Sequence, residues 1–280
     1  MPFLPVELYR PIIQYIDTPK DLYHLLLTSR VLHVEAEPQL YHTIVCPIEG
    51  YDWRLGVVCS SPLKASYIRS LDLRYLILGS HQFSSIYHDF LRAFQWMVNL
   101  RHLQLPTEDN GVHGLSFVPS SDCTFRLEAL SLGAPRSRWG LTAPSSQTLY
   151  TFLESQVELK ELDCPYLPLG PGSLPQLFLP KLQTLRAHQG VLCALLPGRP
   201  ISRLDFGDAR ELGTLVFIEQ TPLTGVMKLR SLSVKDLANL DYLDYLVGCI
   251  SHLRYLKVDS VRIVYMALSR PSFTANTALR

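Results

Sequence analysis

The sequence predicts an α/β fold in which short parallel strands alternate with helices, and two observations lead to that prediction. A six-residue phrase with apolar side chains at its first, fourth and sixth positions recurs along the chain, as in the stretch from Leu100 to Leu105. The fourth and sixth side chains alternate with polar ones, which is typical of a strand with one buried face. Several segments between the copies carry apolar residues at helical spacing. Each unit is therefore predicted to be a strand, a turn and a helix.

The phrase occurs eight times, with first residues at Ile68, Leu100, Leu127, Leu159, Leu182, Ile201, Leu229 and Leu253. Successive copies begin 32, 27, 32, 23, 19, 28 and 24 residues apart. These intervals bracket the period of leucine-rich repeats, whereas a bundle of amphipathic helices gives no reason for a strand-length phrase to recur. We therefore predict an irregular leucine-rich-repeat solenoid of about eight repeats over residues 46–270, followed by a tail at 271–280. Its parallel strands should line a concave face and its helices a convex face.

The segments between the copies differ in character. Residues Gln82 to Val98, Ser145 to Val157 and Leu240 to Ile250 are predicted to be helices because their apolar residues recur at helical spacing. The segment from Pro106 to Thr124 is predicted to be a long loop, and the proline-rich segment from Tyr166 to Pro180 is predicted to be extended. The Asn or Cys that usually follows the phrase of a leucine-rich repeat is absent, and Leu237 and Val261 are two of its replacements. Unequal repeats are therefore expected.

Residues 1–45 lie before the first copy and are predicted to form a small unit of three helices. The first helix should begin near Pro5, and Pro11 is expected to kink it or restart it. The second should carry Leu22 and Leu25, and the third should end near Tyr41. A unit of about 40 residues is too small to bury all its apolar surface, so part of that surface should await a neighbour or a partner.

The N-terminal residues Leu4-Pro5-Val6-Glu7-Leu8, then Ile12, Ile13 and Ile16, then Asp21 to Leu25 and Leu27-Thr28-Ser29-Arg30, resemble an F-box. The F-box is a helical module that docks substrate receptors onto a Skp-type adaptor in cullin-RING ubiquitin ligases. With its repeats, the chain is similar to F-box leucine-rich-repeat proteins, in particular those of higher, basidiomycete-type fungi.

The resemblance implies a substrate-recognition subunit of an SCF-type E3 ubiquitin ligase, which reaches the cullin and RING subunits through the adaptor. The residues implied to contact the adaptor are Leu4, Pro5, Leu8, Ile12, Ile13, Ile16, Leu22 and Leu25. The alternative is a leucine-rich-repeat scaffold without a ubiquitin role, in which the first helices only cap the array.

The polar residues of the phrases are predicted to bind a protein target on the concave face. They are Asp72, Arg74, His102, Gln104, Glu161, Asp163, Arg186, His188, Arg203, Asp205, Tyr255 and Lys257. Charges of both signs alternate along this face, which suits a folded protein better than a polyanion. The alternative is a solvated strand face that binds nothing.

Composition and motifs argue against other classes of function. The chain has 26 Lys plus Arg and 25 Asp plus Glu, so its overall charge does not favour nucleic acid or an anionic membrane. No apolar run approaches the ~20 residues of a membrane span, the start does not resemble a signal peptide, and the six cysteines are scattered. Catalytic and metal-binding motifs are absent as well. We expect a protein of the cytoplasm and/or nucleus that is not an enzyme and holds no cofactor or metal.

Overall fold

The computed structural model describes residues 5–46, 52–74, 83–105, 122–133, 146–164, 177–187, 194–196, 198–206, 228–237 and 252–261, together with the single residues 119, 175 and 191. In these residues, nine strands form one parallel sheet in which the order of the strands follows the order of the chain. The first and last strands do not pair, so the sheet is open. The predicted α/β class and parallel pairing are confirmed. The assignment to an F-box and to leucine-rich repeats stays a prediction.

Three helices precede the sheet: α1 (Tyr9–Ile13), α2 (Pro19–Leu26) and α3 (Arg30–His42), with a 3₁₀ turn at Val6–Leu8 before α1. The change from 3₁₀ to α-helix just before Pro11 is the predicted restart. Pro11 lies in the first turn of α1, where its missing N–H costs no hydrogen bond. Thr18 and Ser29 cap α2 and α3 by accepting hydrogen bonds from the backbone N–H groups of Asp21 and Leu32.

The strands coincide with the repeated phrase. They are β1 (Thr43–Val45), β2 (Ser70–Asp72), β3 (His102–Leu105), β4 (Ala129–Leu132), β5 (Glu161–Cys164), β6 (Thr184–Ala187), β7 (Arg203–Phe206), β8 (Ser231–Leu237) and β9 (Tyr255–Val261). Strands β2 to β9 fall on the eight copies. The sequence prediction missed β1, which lies inside the predicted helical unit and has only one buried residue, Ile44, to signal it.

The register aligns the fourth position of every phrase in one row that faces the core. The row consists of Ile44, Leu71, Leu103, Leu130, Leu162, Leu185, Leu204, Leu232 and Leu256. All but Leu256 are buried. Strands β8 and β9 run three residues beyond β3 to β7, and their extension pairs Leu237 with Val261. At the positions where the usual Asn or Cys is absent, these two strands continue and do not turn.

Helices α4 (Trp53–Ser60), α5 (Pro62–Ser66), α6 (Phe83–Trp96) and α7 (Ser146–Ser155) join the core of the sheet. Helices α6 and α7 agree with the prediction to within two residues. The sequence prediction missed α4 and α5, which are short. The predicted helix at 240–250 lies outside the described residues, as do most of the segments 106–124 and 166–180.

One continuous core runs from the N-terminal helices through the sheet. Four buried rings, Phe90, Phe94, Phe125 and Phe152, form a chain along it, and consecutive ring centroids lie 6.3 Å apart. The predicted domain boundary at residue 45 falls directly after β1. Within the described part of the chain, every helix is too short or too polar to cross a bilayer.

Candidate functional site

Exposed apolar side chains are concentrated on the N-terminal helices. Eight of the fifteen exposed large hydrophobic residues of the described chain lie between residues 6 and 34. These eight, here called the helical patch, are Val6, Leu8, Ile12, Tyr15, Tyr23, Leu27, Val31 and Val34. Single exposed apolar residues are normal on a protein surface, whereas an accumulation of them on one small unit makes that unit a candidate binding site. The predicted exposure of this unit is therefore confirmed.

The structure divides the residues predicted to contact an adaptor into two groups. Leu8 and Ile12 belong to the helical patch, Pro5 is exposed, and Ile16 and Leu25 are half-buried. Leu4 lies outside the described residues.

Ile13 and Leu22 correct the prediction, because they are only 2% and 3% exposed and belong to the core. Consecutive helical residues point about 100° apart, so Ile13 faces inward when Ile12 faces solvent. Helix α1 packs against α3, and α2 also packs against α3. Ile13 and Leu22 therefore hold the helices together and do not offer a contact surface.

Sequence reasoning missed six members of the helical patch: Val6, Tyr15, Tyr23, Leu27, Val31 and Val34. The prediction selected the apolar residues with the clearest helical spacing. Some of these residues face the protein's own core and are not available to a partner. The signal that could have found the patch is the set of apolar residues that lie outside this spacing, of which Tyr15 is the most exposed at 87%.

The open face of the sheet carries the third and fifth positions of each phrase. The first row consists of Thr43, Ser70, His102, Ala129, Glu161, Thr184, Arg203, Ser231 and Tyr255. The second consists of Val45, Asp72, Gln104, Ser131, Asp163, Arg186, Asp205, Ser233 and Lys257. The register thus brings ten of the twelve predicted target-binding residues into two adjoining rows. Sequence reasoning missed the small polar members, such as Ser131 and Ser233.

Two predicted members stand apart from those rows. Arg74 follows β2 and has an exposed side chain. His188 lies outside the described residues.

Asp72 corrects the prediction, because it is only 6% exposed and is occupied within the chain. Its carboxylate accepts hydrogen bonds from the backbone N–H, Nε and Nη2 of Arg74, the last at 2.7 Å. A buried carboxylate that already holds a bidentate guanidinium has little capacity left for a partner. Asp72 therefore positions Arg74 and does not itself form part of a contact surface.

At the centre of the second row, one arginine is shared by two carboxylates. Arg186 lies between two carboxylates, with Nη1 3.5 Å from Oδ2 of Asp163 and Nε 3.8 Å from Oδ2 of Asp205. Ser131 also donates a hydrogen bond to Oδ2 of Asp163 at 3.1 Å. The Oδ1 atom of Asp205 and the Oε1 atom of Gln104 are buried and have no hydrogen-bond partner among the described residues. Buried polar atoms without partners lower stability, and a ligand that supplies donors would relieve that cost.

A third row marks the positions at which the chain enters the strands. Here called the strand-entry row, it consists of the second residue of each phrase: Arg69, Arg101, Glu128, Lys160, Gln183, Ser202, Arg230 and Arg254. Each backbone N–H after Arg69 donates to the carbonyl of the preceding member. The Glu128 carboxylate accepts hydrogen bonds from Lys160 at 2.7 Å and from Arg101. These bonds, Lys160 first and then Arg101, lower the pKa of Glu128 to about 2.

The described residues offer little basis for a nucleophilic cysteine or a metal site. Cys46, Cys59 and Cys164 are free and buried, and Cys123 is buried as well. Burial raises the pKa of the Cys46 thiol to about 12 and that of Cys59 to about 11, so neither supplies a thiolate near neutral pH. No three metal-binding side chains come together in the part of the chain that the structure describes.

The candidate site is therefore a pair of surfaces, the helical patch and the open face of the sheet. Comparison of the sequence with models of known protein families and with curated proteins finds no match.

Proposed function

We propose that this chain is the substrate-recognition subunit of an SCF-type cullin-RING ubiquitin ligase. The helical patch would bind a Skp-type adaptor, and the open face of the sheet would bind a protein target. Such a receptor forms no bond itself. It tethers the target near the conjugating enzyme, which raises the effective concentration of a target lysine.

The observation that carries the proposal is the helical patch, because it lies on the segment whose sequence resembles an F-box. Leu8 and Ile12 are 46% and 48% exposed although their neighbours Ile13 and Leu22 complete the local core. A helical unit that has already closed its core has no internal use for further apolar side chains at its surface. Burial of those side chains by a partner is favourable at roughly 25 cal/mol per Å² of apolar area.

A second candidate is a protein-binding scaffold whose N-terminal helices only cap the sheet. The observation that favours it is the joint around Arg54, which is 6% exposed. Arg54 forms a bidentate ion pair with Asp52 and donates through Nη1 to the carbonyls of Leu40 and Thr43, at 3.0 and 3.1 Å. The helices and the sheet are thus fastened to each other as a cap and its array would be.

Co-purification with a Skp-type adaptor tests the proposal. The full chain would be co-expressed with the adaptor as wild type, as Leu8→Asp and as Leu63→Asp. Leu63 is a matched control because it is 60% exposed, lies outside the helical patch, and sits in the first turn of α5, where an acidic residue is tolerated. Wild type and Leu63→Asp should retain the adaptor, and Leu8→Asp should lose about tenfold or more of the affinity.

Two outcomes would contradict the proposal in different ways. If wild type does not retain the adaptor, the ligase role is wrong and the scaffold remains. If Leu8→Asp binds as well as Leu63→Asp does, the adaptor does not use the helical patch.

A further inference from the structure

Three arginines meet at one corner of the open face, where β7, β8 and β9 begin. Arg230 and Arg254 are adjacent in the strand-entry row, and the N–H of Arg254 donates to the carbonyl of Arg230 at 2.9 Å. Arg203 pairs in register with Ser231, the residue after Arg230. Because parallel strands lie about 4.8 Å apart, the three backbone positions fall within about 10 Å of one another. All three side chains are exposed. We call them the arginine corner.

Within the described part of the chain, the arginine corner has no counterion. None of its three side chains forms an ion pair with any residue that the structure describes, and Asp205, the nearest carboxylate along β7, lies beside Arg186. Asp236 on β8 is six positions beyond Arg230, about 20 Å along an extended strand. Elsewhere in the same row Arg101 and Lys160 both form ion pairs with the single carboxylate of Glu128.

Adjacent arginines without a carboxylate between them repel one another, and an acidic partner would relieve that repulsion. The guanidinium group presents donors in a planar fork that matches a carboxylate. Tyr255 follows Arg254, lies on the open face and is 56% exposed. A rigid aromatic ring beside arginines is the composition of a binding hot spot.

The charges around the corner restrict the kind of partner. Glu161, Asp163 and Asp205 lie on the same face, toward the middle of the sheet. They would repel a long polyanion that crosses the sheet, whereas a short acidic segment can end at the corner. A protein segment fits this pattern better than a nucleic acid does.

We propose that the arginine corner and Tyr255 bind a short segment of a partner protein that is rich in Asp and Glu. That this segment belongs to the target of a ubiquitin-ligase receptor rests on the proposed function. Binding of the segment itself does not require the adaptor.

Fluorescence anisotropy with the full chain tests the inference, using a labelled eight-residue peptide with six glutamates and the same peptide with six glutamines as probes. Wild type should bind the glutamate peptide and not the glutamine peptide. The double variant Arg230→Gln/Arg254→Gln should weaken binding about tenfold or more, and Tyr255→Ala should weaken it about threefold or more. Arg101→Gln is the matched control, because it is the same residue type at the same phrase position, and its affinity should stay within about twofold.

The outcomes separate this inference from the proposed function. If the loss of binding free energy per arginine removed is the same in the double variant and in Arg101→Gln, only the overall charge acts, and the corner would be rejected. Failure of wild type to prefer the glutamate peptide, or tighter binding of a single-stranded oligonucleotide of equal charge, would also overturn it. Adaptor retention, measured separately, should be unchanged in the double variant. A loss of retention alone would bear on the helical patch and not on the corner.

Discussion

The N-terminal helices and the sheet expose surfaces of opposite kinds. The helical patch gathers eight apolar side chains, whereas Tyr255 is the only exposed large hydrophobic residue among the described residues of β2 to β9. Among the described residues of the sheet, the central Arg186 forms ion pairs with Asp163 and Asp205, whereas the arginines of the corner form none. The two surfaces should therefore bind partners by different forces. Association at the helical patch should depend little on salt, while association at the corner should weaken as salt screens its charges.

The largest expected effect separates the two sides of α1, at Ile12 and Ile13. Ile13→Asp places an unpaired carboxylate in the core and should destabilise the fold by about 4 kcal/mol or more. Ile12→Asp places the same group in the exposed helical patch and should change stability by less than about 1 kcal/mol. Urea unfolding followed by circular dichroism measures both. Similar losses in the two variants would contradict the inward position of Ile13 and the exposure of Ile12.

A smaller effect is expected at the joint between the two regions, where the chain repeats one local arrangement. Asp52 binds Arg54 as Asp72 binds Arg74, each through the backbone N–H, Nε and Nη2 of the arginine. The side chain of Arg54 is 8% exposed and that of Arg74 is 45% exposed. Arg54→Gln leaves the Asp52 carboxylate buried without its countercharge and should cost roughly 3 kcal/mol. Arg74→Gln should lower the free energy of unfolding by less. The exposed Arg74 side chain covers the Asp72 carboxylate, so water can reach that carboxylate once the arginine is replaced.

Unfolding of the Arg54→Gln variant also tests how the regions are coupled. If Arg54 fastens the helices to the sheet, this variant should lose the single transition expected of wild type and show separate transitions for the two regions. Circular dichroism and the fluorescence of Trp53, which packs against Tyr23 and Tyr41, would report them. A single transition with unchanged stability would show that the joint is unimportant.

The sheet was more predictable than the surfaces, for a physical reason. In the phrase from Leu100 to Leu105, apolar and polar residues alternate with the period of a strand. One buried face is enough to determine that the segment is a strand and how it pairs with its neighbours. Strand β1 has only Ile44 in the core, so its sequence shows no alternation from which the strand could be predicted. The same limitation explains Ile13 and Leu22: periodicity finds the apolar side of a helix but does not say which apolar residues the protein covers itself.

The spacing of apolar residues in the sequence did not predict which individual polar side chains are buried. Asp72 occupies a position that alternation assigns to the open face, yet Arg74 two residues later folds over it and removes it from solvent. Gln156 is likewise fully buried, because its Oε1 accepts the backbone N–H of Leu127 at 2.9 Å. Both contacts depend on side-chain partners, which the period of a strand or helix does not encode.

The smallest expected effect concerns the ion pairs of Glu128 in the strand-entry row. It should appear as a dependence of the melting temperature on pH. The pKa of Glu128 lies at about 2 in the folded protein, below the ordinary value of 4.5, because Lys160 and Arg101 hydrogen-bond to its charged form. The stabilisation is therefore fully present above about pH 4.5 and is lost as the pH falls toward 2. Wild type should melt at a higher temperature than Glu128→Gln at pH 7, and the gap should narrow over that range.

The control for this experiment is Glu161→Gln, which removes a carboxylate from the first residue of the next strand. Glu161 is exposed and forms no ion pair with any described residue, so its replacement should leave the melting temperature nearly unchanged at every pH. A gap between wild type and Glu128→Gln that stays constant down to pH 2 would contradict the ion pairs of Glu128. The contrast between Arg101 and the arginine corner would then lose its basis, because it depends on Glu128 holding one arginine of the row while Arg230 and Arg254 remain open to a partner.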